Sequence, residues 1–324
     1  MRKTFSALLL AALAFGLAGT PALAFNQPPL NLGLTDILDG GPPGPGTYFT
    51  EYIQAYGSNH FKDSNGNDIP GSPEIANVLS MNQVVQVYKH KTLGGHIGVT
   101  ALLPVVAISG SGTFGPPIAG TPPDGPINAI TANPGVWGDL IVGPFLQWFD
   151  TKLLDRPFIH RLELDIVMPT GQYDKKYIAN PGSNIWTFEP FYAFTWFLTD
   201  MFSTSWRIMY DFHTENDDAA PGPLNNFSTS VTPGQVFHFN YSFEYQCFKN
   251  FWASAAGYYL VQTTDDDSGN GKVANSKEQV FAVGPALFWV VSPNFSMGLK
   301  TAWEMATENR PEGNRTTFRL TYKF

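Results

Sequence analysis

The chain holds one cysteine, Cys247, in 324 residues, so it cannot close an internal disulfide. In an oxidising compartment that cysteine reads as an ordinary strand position without a redox role. Charge is scarce as well, with 14% charged residues against roughly 25% in an average globular chain. Basic residues are outnumbered, 19 Lys and Arg to 27 Asp and Glu, and the net charge of −8 argues against nucleic acid as a partner. No apolar run beyond residue 24 reaches the roughly 20 residues of a membrane helix. The best candidate, Ile97 to Ile108, is interrupted by Pro104. A membrane protein built from this chain must therefore span with strands, the other structure that satisfies its backbone in hydrocarbon. Aromatic residues reach 15%, which suits a lipid-facing surface.

Both ends support that class. At the C-terminus Phe318, Leu320, Tyr322 and Phe324 alternate with Arg319, Thr321 and Lys323 to the last residue. Alternate strand residues point to opposite faces, so one face suits lipid and the other water. Tyr322 and Phe324 are thus expected to serve barrel assembly, since the last strand must pair with the first to close the wall. At the N-terminus, Arg2 and Lys3 precede an apolar stretch from Phe5 to Ala18 and the small residues Ala22-Leu23-Ala24. This predicts a signal peptide over 1–24, export from the cytoplasm and a mature chain beginning at Phe25.

Periodicity predicts twelve strands, near 47–57, 80–90, 94–105, 138–149, 158–169, 185–198, 203–214, 234–248, 251–263, 278–291, 295–306 and 315–324. Five connections are short, for example Lys249-Asn250 and Ser292-Pro293-Asn294. They alternate with connections that tend to be longer and rich in Gly, Pro, Asn and Asp, notably 58–79, 106–137 and 265–277. The expected fold is all-β, a transmembrane antiparallel up-and-down barrel of about 12 strands over 47–324, with tight periplasmic turns and extended outer loops.

Within strands, Phe237, Phe239, Tyr241, Phe243 and Tyr245 form one face while His238, Asn240, Ser242, Glu244 and Gln246 form the other. The first set is assigned to lipid. A charge on the lipid face at midplane costs roughly 2 to 4 kcal/mol for Arg or Lys, so charges are assigned inward. The expected lumen lining is Glu51, His96, Asp139, Arg161, Glu163, Asp165, Glu189, Arg207, Asp211, His213, His238, Glu244, Lys300, Glu304 and Arg319. Trp148, Trp186, Trp196, Trp252, Trp289 and Trp303 fall near strand ends and suggest interfacial girdles.

Residues 25–46 precede the first strand and form a separate N-terminal segment ending in Gly40-Gly41-Pro42-Pro43-Gly44-Pro45-Gly46. A flexible leader and a plug that enters the pore both fit this composition. The plug is the expectation carried forward, with Leu32, Leu34, Asp36, Ile37 and Leu38 as its contacts, because a twelve-stranded barrel needs something to narrow it.

Several stretches resemble one family. They are Asn31-Leu32-Gly33 through Asp39-Gly40-Gly41, the Pro-Gly segment leading to Tyr48 and Tyr52, Pro169-Thr170-Gly171-Gln172-Tyr173-Asp174, and Asn184-Ile185-Trp186. Together they resemble the outer-membrane proteins of the meta-pathway of phenol degradation family. The resemblance implies a barrel in the outer membrane of a Gram-negative bacterium that takes up small hydrophobic, aromatic compounds. The expected partners are outer-membrane lipids, the barrel-assembly machinery and a small hydrophobic solute. The alternatives are a structural or interaction barrel that transports nothing, and a barrel-embedded lipid hydrolase.

Motifs for chemistry dissolve on inspection. Gly110-Ser111-Gly112-Thr113-Phe114-Gly115 matches a dinucleotide fingerprint by letter, but Pro116-Pro117 stands where the phosphate-binding helix must begin. Asp63, Asn65, Asn67 and Glu74 follow a calcium-loop spacing, yet Asp68 replaces the turn glycine. The Asp265-Asp266-Asp267 run reads as a solvated loop. Ser242 shares a face with His238, which is too little for a nucleophile, and His60, His90 and His160 are scattered. No catalytic residue, metal ligand or cofactor is therefore assigned, and the chain is expected not to be an enzyme.

Overall fold

The computed structural model describes residues 27–28, 31–115, 129–221 and 225–324. The signal-peptide assignment, Phe25 and the Pro116-Pro117 pair lie outside the described residues. Strands β1 (Gly46–Phe61), β2 (Glu74–Thr92), β3 (Gly95–Ser111), β4 (Leu140–Leu153), β5 (Arg156–Met168), β6 (Thr187–Phe197) and β7 (Phe202–His213) follow one another as antiparallel neighbours. A two-residue strand β8 (Val231–Thr232) lies in the next loop. The wall continues with β9 (Val236–Phe248) and β10 (Phe251–Gln262), then, past the short loop strands β11 (Asp267–Ser268) and β12 (Gly271–Lys272), with β13 (Gln279–Ser292), β14 (Phe295–Glu308) and β15 (Pro311–Lys323). The barrel closes through β1 and β15, giving twelve wall strands, while β8, β11 and β12 form a small sheet in the loops.

Each turn has a local cause. Leu93-Gly94, Leu154-Asp155 and Asn250 take positive φ at the tight end, where the hairpins reverse in two residues. The opposite end carries the connections from β1 to β2, β3 to β4, β5 to β6, β7 to β9 and β10 to β13, which the Pro- and Gly-rich stretches foretold. One connection at that end is shorter than the sequence suggests. β14 and β15 extend so far outward that only Asn309-Arg310 separates them, with Asn309 at φ 52°.

Closure depends on the register Tyr48↔Lys323, Tyr52↔Arg319 and Tyr56↔Arg315. In this pairing Tyr48, Tyr52 and Tyr56 turn inward and are buried, each near a cation of β15. Arg315 lies 4.6 Å over the Tyr56 ring and Lys323 5.4 Å over that of Tyr48. Side-chain alternation then sends Glu51 outward with Ile53, which corrects its assignment to the lumen. Glu51 is satisfied on that face by Ser80 Oγ, which donates to it at 2.6 Å. The assumption that charge must point inward fails here because three inward tyrosines fix the parity of β1.

A second correction concerns Trp252. It lies on the inward parity of β10 and packs beside Ile37, Ala256 and Phe288, so it is no girdle residue. Trp186, Trp289 and Trp303 are exposed, as an interfacial belt requires, and the outward Trp148 stacks on His160 at 4.7 Å. At the end of the chain Tyr322 and Phe324 are exposed, and the Phe324 N–H donates to Thr47 O at 3.0 Å. The last amide thus belongs to the closing ladder.

Candidate functional site

The lumen is occupied by the chain's own N-terminal residues. Gln27 Nε2 donates to Gly234 O and Gln262 Oε1 at the loop end of β9 and β10. Residues 31–38 descend along the wall, and residues 39–41 cross to β6 and β4 before the Pro-Gly stretch enters β1. Three apolar side chains anchor this path in different directions. Leu32 packs among Tyr258, Leu260, Val280 and Ala302, and Leu34 packs against Tyr52, Met81 and Leu102 on the opposite wall. Ile37, fully buried, sits with Ala256, Ala286 and Phe288, with Leu38 at the edge of that cluster. The lumen therefore offers more apolar area than strand alternation implies. Gly33 permits the passage: its φ is +63°, and a Cβ there would stand 2.5 Å from the Tyr258 ring.

Polar groups complete the hold. Asn240 accepts the Gly33 N–H at 2.8 Å and donates to Asn31 O at 3.1 Å. Glu244, held by hydroxyl donors from Ser203 and Ser242, accepts the Leu38 N–H at 3.1 Å. Asp39 meets Arg207 in a two-point pair, Nε to Oδ2 at 3.0 Å and Nη2 to Oδ1 at 2.8 Å, and the guanidinium lies 4.4 Å over Phe191. Asp36 lies 3.5 Å from Arg319 and 3.8 Å from Lys300, whose Nζ donates to Thr35 O at 2.9 Å. Gln147 donates to Gly40 O at 2.8 Å and accepts from Arg161, which in turn pairs with Glu163 at 3.0 Å. Buried charges are tolerated only when paired and hydrogen-bonded in this way.

Of the fifteen expected lining residues, Glu51 alone faces outward. Arg161, Glu163, Asp165, Glu189, Arg207, Asp211, His238, Glu244, Lys300 and Glu304 are buried on the inner wall, with Arg319 partly buried. Glu304 accepts from Tyr56 at 2.9 Å and Tyr258 at 2.7 Å. His96 faces in and meets Tyr88 O at 2.9 Å, while His213 meets the Thr187 hydroxyl at 2.9 Å. Asp139 lies just outside β4 and fastens two loops, accepting from Gly171 N and Ser183 N at 2.8 Å each. That bond ties the Pro169 to Asp174 motif to the barrel mouth.

Separate strands also bring Glu189, Asp211 and His238 together, buried and with their ligand atoms within 4.8 Å of one another. Sequence inspection missed this group because its members come from β6, β7 and β9. The signal was three inward-parity acids and bases at the same height, visible only once the register is known.

Beside Gln27, Pro28, Asn31, Leu32 and Leu34 lies a cavity of about 330 Å³, open toward the loops. One side is apolar, with Leu79, Met81, Leu102, Ile141 and Val167 above Leu34. Polar side chains flank these residues, namely Gln54, Asp165, Glu189 and Arg315, with Glu278 and Arg310 at the loop end. Burial pushes the Glu278 carboxyl up to about 8 despite Arg310 at 3.2 Å.

The loop motifs resolve simply. Asp63 Oδ1 accepts the N–H groups of Asn65 and Asn67 at 2.8 and 2.9 Å, a self-satisfied turn. Asp266 corrects the reading of its acidic run as solvated: it is buried and accepts from Gly234 N and Gln262 Nε2. Ser242 donates to Glu244 at 2.6 Å rather than to His238, so no Ser–His pair forms.

A closed twelve-stranded barrel with an amphipathic wall, aromatic outer face and an internally threaded segment before its first strand is an outer-membrane type of β-barrel. The chain belongs to the family described as "Putative MetA-pathway of phenol degradation", whose profile matches residues 58–320. Among solved structures it is similar to an outer membrane channel from Pseudomonas putida F1, at 16% identity and a TM-score of 0.73, covering 89% of this chain and 98% of that one. A monoaromatic hydrocarbon channel, CymD, matches at 7% identity and a TM-score of 0.42, covering 86% and 89%. The translocator domain of the autotransporter NalP from Neisseria meningitidis matches at 8% identity and 0.46, covering 100% and 96%. No curated protein matches the chain.

Proposed function

We propose that the barrel is a passive outer-membrane channel for small hydrophobic, aromatic compounds, exported by its signal peptide and performing no catalysis. The observation that carries this reading is the cavity, open toward the loops and apolar along one wall. Engineered apolar cavities of about 150 Å³ hold benzene, so about 330 Å³ accommodates a substituted ring. Family membership and the fold shared with a Pseudomonas putida channel agree with that role. The N-terminal segment 25–46 acts as the plug: its residues Gln27, Pro28, Asn31, Leu32 and Leu34 line the cavity, and the solute passes when the segment shifts. The polar side chains flanking that wall give a hydroxyl or carboxylate substituent somewhere to hydrogen-bond, which suits oxygenated aromatics as well as plain ones.

Binding is read directly by ¹⁹F line broadening of fluorobenzene with the purified full chain in detergent. Broadening by the wild type and its loss in Met81→Glu, which places a charge on the apolar wall, is the expected result. Equal line widths with and without folded protein would remove the cavity as a solute site.

A further inference from the structure

The acid-rich inner wall between β5 and β9 has more negative charge than its neighbours balance. Register places Asp165 directly opposite Glu189, and Asp211 occupies the inward position on β7 next to it. The nearby cations are already engaged: Arg161 with Glu163, Arg207 with Asp39, and Lys300 and Arg319 with Asp36. His238 approaches two of these three carboxylates as a possible counter-charge, 2.8 Å from Asp211 Oδ2 and 3.6 Å from Glu189 Oε2. The shorter approach is not aligned as a hydrogen bond. Glu189 Oε1, both Asp211 oxygens and both His238 nitrogens are buried without hydrogen-bond partners, as is Asp165 Oδ1. Buried polar groups in native structures are nearly always satisfied, so this many unsatisfied atoms in one place call for an absent partner.

We propose that Glu189, Asp211 and His238 bind a divalent transition-metal cation, with Asp165 as a neighbouring carboxylate that adds charge. One imidazole nitrogen and two carboxylate oxygens lie within 4.8 Å of one another, and side-chain rotations that bring them under about 4.4 Å let them meet at a single ion at bond lengths of about 2.0–2.2 Å. The nitrogen ligand selects ions such as Zn²⁺ over Ca²⁺ or Mg²⁺, which favour all-oxygen surroundings. Access is provided, because Asp165 and Glu189 line the cavity that opens toward the loops. The ion neutralises the wall beside Arg207, the residue that holds Asp39, and so ties three adjacent strands together at the height of the N-terminal segment. This inference is independent of which solute the barrel passes.

The test is calorimetric titration of Zn²⁺ into the full folded chain after chelator treatment, with Co²⁺ absorption as a second measurement. Expected are one tight Zn²⁺ site and Co²⁺ d–d bands of a nitrogen- and oxygen-bound ion. His238→Gln and Asp211→Asn should each weaken binding beyond the about 10- to 100-fold that outer-sphere partners cost. Both substitutions keep side-chain size close to that of the residue replaced, and heat-modifiability checks that each variant is an assembled barrel. The Co²⁺ spectrum of the wild type tests the site even where a variant fails to assemble. An absence of Zn²⁺ binding by the wild type would overturn the proposal in favour of a metal-free ion pair. Binding that survives both substitutions, or Ca²⁺ bound in preference to Zn²⁺, would overturn it equally.

Discussion

Asp39→Asn is the sharpest perturbation of the N-terminal segment, because Asp39 makes that segment's two-point contact with Arg207 at 2.8 and 3.0 Å. The amide keeps the shape and one acceptor but leaves the buried guanidinium without its counter-charge. Removing one partner of a buried pair costs about 3–5 kcal/mol, and an isosteric amide recovers part of it. A net loss of about 3 kcal/mol lowers the docked-to-undocked ratio by more than about 100-fold, at 1.4 kcal/mol for each factor of ten. Leu32, Leu34 and Ile37 remain buried and hold the segment with about 1.5–3 kcal/mol each. The segment should therefore open more often without being expelled. Single-channel recording in planar bilayers should show Asp39→Asn with a higher opening frequency and unchanged unitary conductance. Deleting residues 25–40 should instead raise the conductance itself. Replacing both partners, Asp39→Leu with Arg207→Leu, should return opening toward the wild-type level, since no buried charge is then left alone. Equal opening frequencies for wild type and Asp39→Asn would refute the claim that this pair latches the plug.

Four further outcomes follow from the same contacts. Gly33→Val should also loosen the segment, because a side chain at φ +63° meets the Tyr258 ring, and limited proteolysis should cut near residue 33 in the variant only. Deleting Phe324, whose amide closes the ladder to Thr47, should reduce the yield of heat-modifiable barrel far more than deleting a loop residue such as Asn270. Spin labels should report lipid-soluble quenchers at position 51 and exclude them at 163, and the reverse pattern would invert the wall assignment. Glu278 rises from 4.5 to about 8 in the folded chain, so the fold binds its proton more tightly than the unfolded chain does. Its protonated form contributes fully below pH 4.5, and that contribution is lost as pH climbs through about 8. The slope between those values reaches at most about 1.4 kcal/mol per pH unit. Melting of the barrel at pH 6 and pH 9 should show the drop in wild type and a flatter response in Glu278→Gln.

The wall was legible because its code is local. Each strand alternates, and the runs around Phe237 and Phe318 announce their own faces without knowledge of neighbours. β1 was the exception: Tyr48, Tyr52 and Tyr56 look like lipid-facing aromatics until the register with Arg315 and Arg319 shows what they cover. Parity then misplaced Glu51 by the same reasoning that succeeded elsewhere. Trp252 failed for a related cause, since an aromatic near a strand end is a girdle residue only on the outward parity. The interior was harder still. Leu32, Leu34 and Ile37 identify an apolar segment, but the niches that receive them are built from β1 to β3 on one side and β10 to β14 on the other. Such long-range assembly leaves no pattern in any single stretch. The Glu189, Asp211 and His238 cluster is hidden for the same reason, while the scattered histidines His60, His90 and His160 drew attention instead.

The channel reading is tested most directly by the initial rate at which radiolabelled toluene enters intact Gram-negative cells, measured at low external concentration. Cells carrying the wild-type barrel are compared with cells carrying Met81→Glu at equal outer-membrane abundance. Faster uptake with wild type, lost in Met81→Glu and increased by deletion of residues 25–40, is the result this account predicts. Uptake equal to that of cells without the barrel, for wild type and the deletion alike, would contradict it.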